Sequence, residues 1–140
     1  MEPKIKQING KDYIFCNWRR KYVRLTPEEW ARQQFLHYLV NYLHYPSSLI
    51  AVEITLSTGR RADAVVYTKQ LTPLVIIEFK AETVTLTQAT LDQASSYNRQ
   101  LQVPYLILHN GVTTIVGKIS TKQESQSIEF LDAIPSYETL

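Results

Sequence analysis

The chain has 140 residues, 44% of them hydrophobic, and a formal net charge of +2. This composition excludes an intrinsically disordered protein and favours one compact domain with a hydrophobic core. The net charge is too small to indicate nucleic-acid binding by itself, and Cys16 as the lone cysteine excludes an intrachain disulfide. No apolar segment reaches the length of a membrane span and the first fifteen residues lack a signal-peptide core, so we expect a soluble cytoplasmic protein.

The first third of the chain predicts a short strand or hairpin followed by a long helix. Residues 12–25 are rich in aromatic and β-branched residues, which are typical of strands. Residues 26–46 carry apolar side chains at helical spacing, and the start of this helix is well marked. Thr26 is a suitable N-cap, Pro27 suits the first turn, and Glu29 completes a capping box.

The rest of the sequence predicts five strands and a second helix. Asn110-Gly111 predicts a type I′ two-residue turn between the last two strands. The second helix gives the chain room to cross over, so we expect the fourth strand to lie parallel to a neighbour in a mixed sheet with helices on both faces. In chain order the elements are strands at 49–57, 61–67 and 74–82, a helix at about 85–101, and strands at 103–109 and 112–119.

The domain is expected to span residues 1–140, with a core at about 13–119. The tail at 120–140 is polar, and we expect it to be loosely held, with a few apolar docking points. These docking points are Phe130, Leu131 and Ile134.

The strand at 74–82 carries two charges at the end of an apolar run. Both of its faces are apolar up to Glu78, which predicts a buried central strand. Burying a carboxylate or an ammonium group is costly unless the charge is partnered. Glu78 and Lys80 share one face of this strand, and Asp63 lies at the start of the preceding strand. If the two strands are neighbours, Asp63 faces Glu78.

Two facing carboxylates on adjacent strands, about 4.8 Å apart, can share a divalent cation. A hard ion such as Mg²⁺ (or Mn²⁺) prefers such oxygen ligands, and it would polarise a phosphoryl oxygen and activate a water molecule. Lys80 would position or deprotonate that water. Clustered basic residues would hold the phosphate backbone, although such clusters are more often a solvated face. They are Arg19, Arg20, Lys21, Arg24, Arg60 and Arg61.

The combination of Asp63, Glu78 and Lys80 in this strand context resembles the PD-(D/E)xK, or restriction-endonuclease-like, nuclease superfamily. The resemblance implies an α/β fold with an αβββαβ core, in which helices flank a mixed central sheet. Gln93 and Tyr97 resemble the QxxxY element of many members, and at this spacing they share one helix face.

Between about residues 13 and 135 the chain is similar to small bacterial proteins grouped with the N-terminal nuclease domain of type I restriction enzyme R subunits. The similarity rests on the segments YVRLTPEEWARQ, LIAVE, RADAVVY, IIEFKA, LDQASSYN, VPYLILHNG and FLDAIP. It implies a Mg²⁺-dependent DNA endonuclease. It does not imply ATP-driven translocation, because 140 residues leave no room for a helicase motor.

By this resemblance the metal ligands are Asp63, Glu78 and the backbone carbonyl of Phe79. Lys80 serves the water nucleophile, Gln93 orients the site, and Tyr97 joins the basic clusters in contacting nucleic acid.

The first helix of the superfamily often supplies a further acid. Glu29 lies toward the core side of the helix, and we favour it over Glu28 as the additional catalytic residue. Arg32, one turn later, pairs with one of these acids or faces phosphate, and Glu53 faces either the same site or the surface. A zinc site at His37 and His44 is not expected, because no third ligand lies nearby in sequence.

Two other functional hypotheses stay open. The acids would be purely structural in a non-catalytic nucleic-acid-binding module built on the same scaffold. A partner-dependent subunit would instead need a motor or specificity subunit to become active. A homodimer is a further alternative, because a lone nuclease domain that cuts both strands usually works as two copies.

Overall fold

The computed structural model describes residues 3–96, 102–122 and 125–140. Its N-terminal part is an antiparallel sheet of three strands, β1 (Ile5–Ile8), β2 (Lys11–Cys16) and β3 (Lys21–Arg24). Asn9 and Gly10 join β1 to β2 with φ angles of 51° and 76°. Positive φ at both central residues is the geometry of a type I′ turn. The predicted hairpin at 12–25 is confirmed as β2 and β3, and β1 adds a strand before it.

Helix α1 (Pro27–Leu43) begins where its capping signals predict. The hydroxyl of Thr26 accepts a hydrogen bond from the Glu29 N–H at 3.0 Å. The helix ends at His44, whose φ of 61° is in the left-handed region typical of a helix C-terminus. Helix α2 is described over Gln88–Ser96, inside the predicted range of 85–101.

A six-stranded mixed sheet forms the main body, with strands in the order β4-β5-β6-β7-β8-β9. Only the β6–β7 pair is parallel among these neighbours, because α2 lies between the two strands in the chain. This confirms the α/β fold and the predicted crossover. The strands are β4 (Ile50–Thr55), β5 (Arg61–Tyr67), β6 (Pro73–Phe79), β7 (Tyr105–His109), β8 (Thr114–Lys122) and β9 (Ser125–Leu131).

The two faces of this sheet are covered by different helices. On one face α1 contributes Leu36 and Leu39 to a buried cluster with Ile77 of β6. On the other face α2 contributes Leu91 to a separate cluster with Ile76, the neighbour of Ile77. The central strands are therefore apolar on both faces, as expected for the middle of a covered sheet. No helix in the described ranges is long and apolar enough to cross a membrane.

The prediction of a loosely held tail is wrong. The tail extends β8 to Lys122 and forms β9, which pairs antiparallel with β8 along its whole length. Beyond β9, Ile134 packs against the α1-side core, and the Tyr137 hydroxyl donates to the Tyr67 carbonyl at 2.9 Å. Strand pairing satisfies the edge of β8, which would otherwise expose unpaired backbone groups. Of the predicted docking points, Leu131 also packs against the core, whereas Phe130 is exposed.

The prediction of a type I′ turn at Asn110-Gly111 is also wrong. Four residues separate β7 from β8, and of this pair only Gly111 has a positive φ, at 90°. The buried Asn110 side chain builds the loop instead. Its Oδ1 accepts from the Thr113 N–H at 2.7 Å, and its Nδ2 donates to the Val84 carbonyl at 2.8 Å. A side chain that bonds its own loop replaces the backbone turn that the dipeptide usually forms.

Candidate active site

Two carboxylates meet where β5 and β6 lie side by side. The antiparallel register pairs Ala64 with Ile77, so the next facing pair is Asp63 and Glu78. Asp63 Oδ2 accepts a hydrogen bond from the main-chain N–H of Phe79 at 2.8 Å. The structure therefore brings together the two acids that strand alternation predicted to face each other. We call Asp63 and Glu78 the carboxylate pair.

The cations near the carboxylate pair do not balance its negative charge. Burial raises the pKa of Glu78 to about 7, and repulsion from Asp63, together with a hydrogen bond to it, contributes to this rise. The positive charges of Arg60 and Lys80 oppose the rise without cancelling it. Near neutral pH the two carboxyl groups consequently favour an added proton or cation between them. A structural ion pair, the main alternative for these residues, would lower the pKa of Glu78.

Lys80 lies just beyond the end of β6, beside the carboxylate pair. Its main-chain N–H donates to the His109 carbonyl at 2.8 Å, which ties the segment to the end of β7. Its side chain is exposed, and no carboxylate of the described residues lies within ion-pair distance of its ammonium group. Lys80 lines a cavity of about 430 Å³, together with Glu28 and Arg32 of α1. We call this space the Lys80 cavity.

Glu29, the predicted additional catalytic acid of the first helix, accepts hydrogen bonds from basic and amide side chains. It is only 8% exposed, and Arg19 Nη2 donates to both of its carboxylate oxygens, at 2.7 and 2.9 Å. Gln33 donates to it at 2.9 Å, and Arg32 Nη1 lies 3.7 Å away. Glu28 is exposed and lines the Lys80 cavity. The structure therefore places Glu29 in an ion-pair network and Glu28 at the cavity.

Glu53 extends this network to the edge of the carboxylate pair. Arg32 and Arg61 approach its carboxylate at 3.2 and 3.3 Å, and Arg19 at 3.7 Å. Burial acts to raise the pKa of Glu53, but these three guanidinium groups hold it below its ordinary value. We call Arg19, Glu29, Arg32, Glu53 and Arg61 the arginine-held cluster.

The backbone at Glu53 is unusual for a strand. Its φ is 54°, a left-handed conformation that is strained for a residue with a side chain. The β4–β5 register pairs Val52 with Ala64 and Ile54 with Ala62, so Glu53 lies opposite Asp63. The strained backbone of Glu53 thus lies at the register position of Asp63, and strain of this kind is common at functional sites.

The predicted nucleic-acid contacts occupy different environments. Arg19 is largely buried against Glu29, whereas Arg20, Lys21 and Arg24 are exposed around β3. Arg61 is exposed and pairs with Glu53. Arg60 is half-buried and close enough to Glu78 to lower its pKa. Arg60 therefore acts electrostatically on Glu78.

Of the two residues of the QxxxY element, the structure describes Gln93. Gln93 is exposed on α2. Tyr97 lies outside the described residues. The roles of Gln93 and Tyr97 stay predictions.

The carboxylate pair fits a magnesium site better than a site for a more demanding ion. No group of three or more His, Cys, Asp and Glu side chains suited to a metal occurs within residues 3–96, 102–122 and 125–140. Mg²⁺ commonly binds through one or two carboxylates and completes its shell with water and substrate phosphate. The facing of Asp63 and Glu78 across β5 and β6 supports this fit, and the raised pKa of Glu78 agrees with it, because burial and repulsion from Asp63 favour an added positive charge.

His109 and Asn110 were missed as site residues, although the sequence segment that contains them was noted. His109 lines the Lys80 cavity, and its ring stacks on Phe35 with centroids 4.3 Å apart. Asn110 lines the same cavity and fixes the loop that closes it. The signal in the sequence is a polar His-Asn-Gly run directly after a buried strand that lies next to β6.

Comparison with known families decides the relationship of the chain. The model of the family described as Type I restriction enzyme R protein N terminus (HSDR_N) matches residues 27–135. The chain belongs to this family. A search of curated proteins finds no match. The match runs from the start of α1 to just beyond β9 and includes Asp63, Glu78 and Lys80. Membership of the restriction R-protein family confirms the predicted resemblance and supports a restriction-related nuclease role.

Proposed function

We propose that this member of the restriction R-protein family is a metal-dependent nuclease that hydrolyses phosphodiester bonds in DNA, with Mg²⁺ or Mn²⁺ as its cofactor. The observation that carries the proposal is the carboxylate pair. Two acids face each other across β5 and β6, and burial together with mutual repulsion raises the pKa of Glu78 to about 7. Such an arrangement costs stability in a metal-free protein, and a divalent cation would offset that cost.

Asp63, Glu78 and the main-chain carbonyl of Phe79 are the groups that would hold the cation. A bound Mg²⁺ would polarise the scissile phosphate and lower the pKa of a coordinated water. The hydrogen bond from the Phe79 N–H fixes the orientation of the Asp63 carboxylate. Because that bond uses Oδ2, the other oxygen of Asp63 is directed to the cation and Glu78 in this proposal.

Lys80 serves the attacking water and the phosphate. Its exposed ammonium group borders the carboxylate pair and has no ion-pair partner among the described residues. An unpartnered cation at this place offsets the negative charge that develops on the phosphate in the transition state. Gln93 orients the site from α2, in the role that the family resemblance implies.

Glu29 acts indirectly in this proposal. It holds Arg19 by two short hydrogen bonds and lies 3.7 Å from Arg32, and both arginines contact Glu53 opposite Asp63. Glu29 is therefore a positioning residue. The exposed cations around β3 and at Arg61, with Tyr97, supply contacts to the DNA backbone.

The test is plasmid nicking and single-strand cleavage with and without Mg²⁺, for the wild type and Lys80→Ala. Lys69→Ala is the matched control, because Lys69 is an equally exposed lysine in the turn between β5 and β6. We expect cleavage that requires the metal, that falls by roughly 10²-fold or more in Lys80→Ala, and that is unchanged in Lys69→Ala. Cleavage that persists in a chelator, or equal rates in wild type and Lys80→Ala, would contradict the proposal.

A second candidate is a partner-dependent subunit, and the family itself favours it, because type I restriction R proteins are components of multi-subunit enzymes that act on DNA. Its signature is a purified chain that binds Mn²⁺ but cleaves only after a motor or specificity subunit, or a second copy, is added. A purely non-catalytic DNA-binding module is distinguished by metal titration. Mn²⁺ binding that is lost in Asp63→Asn supports an enzyme, and absence of any metal binding supports the module.

A further inference from the structure

A groove leads from the Lys80 cavity along α1 toward the C-terminal tail. Its volume is about 690 Å³, within the usual range of small-ligand sites. The groove and the Lys80 cavity share four lining residues, so they are adjacent. These residues are Trp30, Ala31, His109 and Gly111.

The lining of this groove is aromatic. Trp30 and Tyr38 belong to α1 and are 41% and 45% exposed. The Tyr38 ring stacks on that of Tyr42, with centroids 5.4 Å apart, so Trp30 is the residue that we consider for stacking on a ligand. Beneath these side chains, the rings of Phe35 and His109 stack on each other. His109 Nδ1 is in turn hydrogen-bonded to the Thr114 hydroxyl at 2.8 Å, which fixes the ring. The groove therefore has a rigid aromatic floor and an exposed indole at its entrance.

Charge is distributed unevenly between the two spaces. Among the residues that the structure describes, no Asp, Glu, Lys or Arg lines the groove. The Lys80 cavity contains Lys80 and Arg32 together with the acids Glu28 and Glu82. A ligand that spans both spaces would place an uncharged planar part in the groove and an anionic part at Lys80. A nucleotide within a DNA strand has this chemistry, because its base is planar and its phosphate is anionic.

We propose that the groove binds an unpaired base of the DNA substrate, stacked on Trp30, next to the phosphate held at Lys80. The placement of the phosphate rests on the proposed nuclease function. Base stacking on an aromatic side chain tolerates any base, so the groove would favour single-stranded or locally opened DNA without selecting a sequence.

The experiment measures binding of a fluorescently labelled oligo-dT strand by anisotropy, in the Asp63→Asn background and without divalent metal, so that the DNA stays intact. Trp30→Ala is expected to weaken binding roughly tenfold, and Trp30→Phe, which keeps an aromatic ring, by much less. The control is Phe130→Ala, because Phe130 is an aromatic residue of β9 that is 45% exposed and does not line the groove. Phe130→Ala should bind as tightly as its parent. Single strands should also quench tryptophan fluorescence, and Trp30→Phe, which retains Trp18, should lose most of this quenching.

An abasic strand ties the effect to the bases. Because the groove selects no sequence and fixes no register, every base of the strand is removed: the abasic strand should bind the parent roughly tenfold more weakly than oligo-dT does, whereas Trp30→Ala should bind the two strands about equally. The proposal is overturned if Trp30→Ala distinguishes the two strands as strongly as its parent does or if Trp30→Ala binds oligo-dT as tightly as its parent. It is also overturned if Trp30→Ala instead dissociates a dimer in light scattering, which would make the groove a contact between two copies. Since these are binding measurements, their failure is separate from a failure to detect cleavage.

Discussion

The carboxylate pair and the arginine-held cluster differ in how far their carboxylates are partnered by cations. In the cluster, Glu29 receives two hydrogen bonds from Arg19, and Glu53 lies within ion-pair distance of three arginines. In the pair, Asp63 has one backbone donor, and the pKa of Glu78 rises to about 7. Both carboxylates of the cluster therefore have arginine partners. In the pair, Arg60 and Lys80 do not cancel the rise in the pKa of Glu78, and this difference is the reason for placing the proposed cation at the pair.

The arrangement also explains why the arginines do not neutralise the pair. Glu53 lies opposite Asp63 and holds Arg19, Arg32 and Arg61 by its own carboxylate. An arginine bound there is not available to form a short ion pair with Asp63. The cations that do act on Glu78 are Arg60 and Lys80, and they do not cancel the rise in its pKa, which is why the proposed function places an exchangeable cation there.

The largest predicted effect is on catalysis, from removal of one acid of the pair. Asp63→Asn should lower cleavage by about 10³-fold, because the cation loses a charged ligand. Glu29→Gln, in the cluster, should lower it far less. The measurement is the initial rate of plasmid nicking at saturating Mg²⁺, normalised to folded protein. If the two variants lose equal activity, the distinction between pair and cluster does not hold for catalysis.

The next effect is on stability, and it should come from the cluster. Glu29→Gln removes the carboxylate that accepts two hydrogen bonds from the largely buried Arg19 guanidinium and leaves it only the more distant Glu53, at 3.7 Å, which should cost about 3 kcal/mol of unfolding free energy. Adding Arg19→Met should restore most of that loss, since the poorly paired buried charge is then gone. Urea denaturation of both variants provides the measurement. A loss below about 0.5 kcal/mol in Glu29→Gln would show that this ion pair is not stabilising.

Much of the fold could be predicted from the sequence because its signals are local. Thr26 and Pro27 mark the start of α1, and strand alternation at 74–79 indicates a central strand. The meeting of Asp63 and Glu78 also followed, since it needs only that consecutive strands pair. By contrast, the bond between Arg19 and Glu29 joins a turn to a helix, and no periodic pattern specifies such a contact.

Two Asn-Gly dipeptides show the same limit of predicting structure from local sequence signals. Asn9-Gly10 forms a type I′ turn between exposed strands, where the local preference decides the conformation. Asn110-Gly111 does not, because the buried Asn110 amide bonds to Val84, which is distant in sequence. Tertiary contacts override the same dipeptide signal when its side chain is buried.

A third effect is a pH dependence of stability that comes from the pair. The folded pKa of Glu78 is raised, so the folded state binds a proton more tightly than the unfolded state does. The contribution of this group to stability without divalent metal should therefore be full at and below about pH 4.5 and should be lost as the pH rises from there through about 7. The loss should be about 2 kcal/mol, given that Glu78 is partly exposed. Unfolding curves in a chelator at pH 5 and pH 8 measure it.

Glu78→Gln is the control for this pH dependence. The amide cannot ionise, so the variant should be more stable than the wild type at pH 8 and should lose most of the fall between pH 5 and pH 8. Mg²⁺ should stabilise the wild type at pH 8 more than it stabilises Glu78→Gln, because binding to the folded state shifts unfolding. An unchanged pH profile in the variant would assign the dependence to another group.

The smallest effect on stability is expected at Arg61, where the cluster meets solvent. Its side chain is 68% exposed, and Glu53 keeps Arg19 and Arg32 as partners when Arg61 is removed, so Arg61→Ala should change stability by less than about 0.5 kcal/mol. Its proposed contact with the DNA backbone should nevertheless appear in the salt dependence of binding. The slope of log K against log salt for duplex DNA should fall by about 0.9, the value for one phosphate contact. A slope equal to that of the wild type would place Arg61 wholly within the cluster, whereas the reduced slope would show that one arginine serves both the cluster and the substrate.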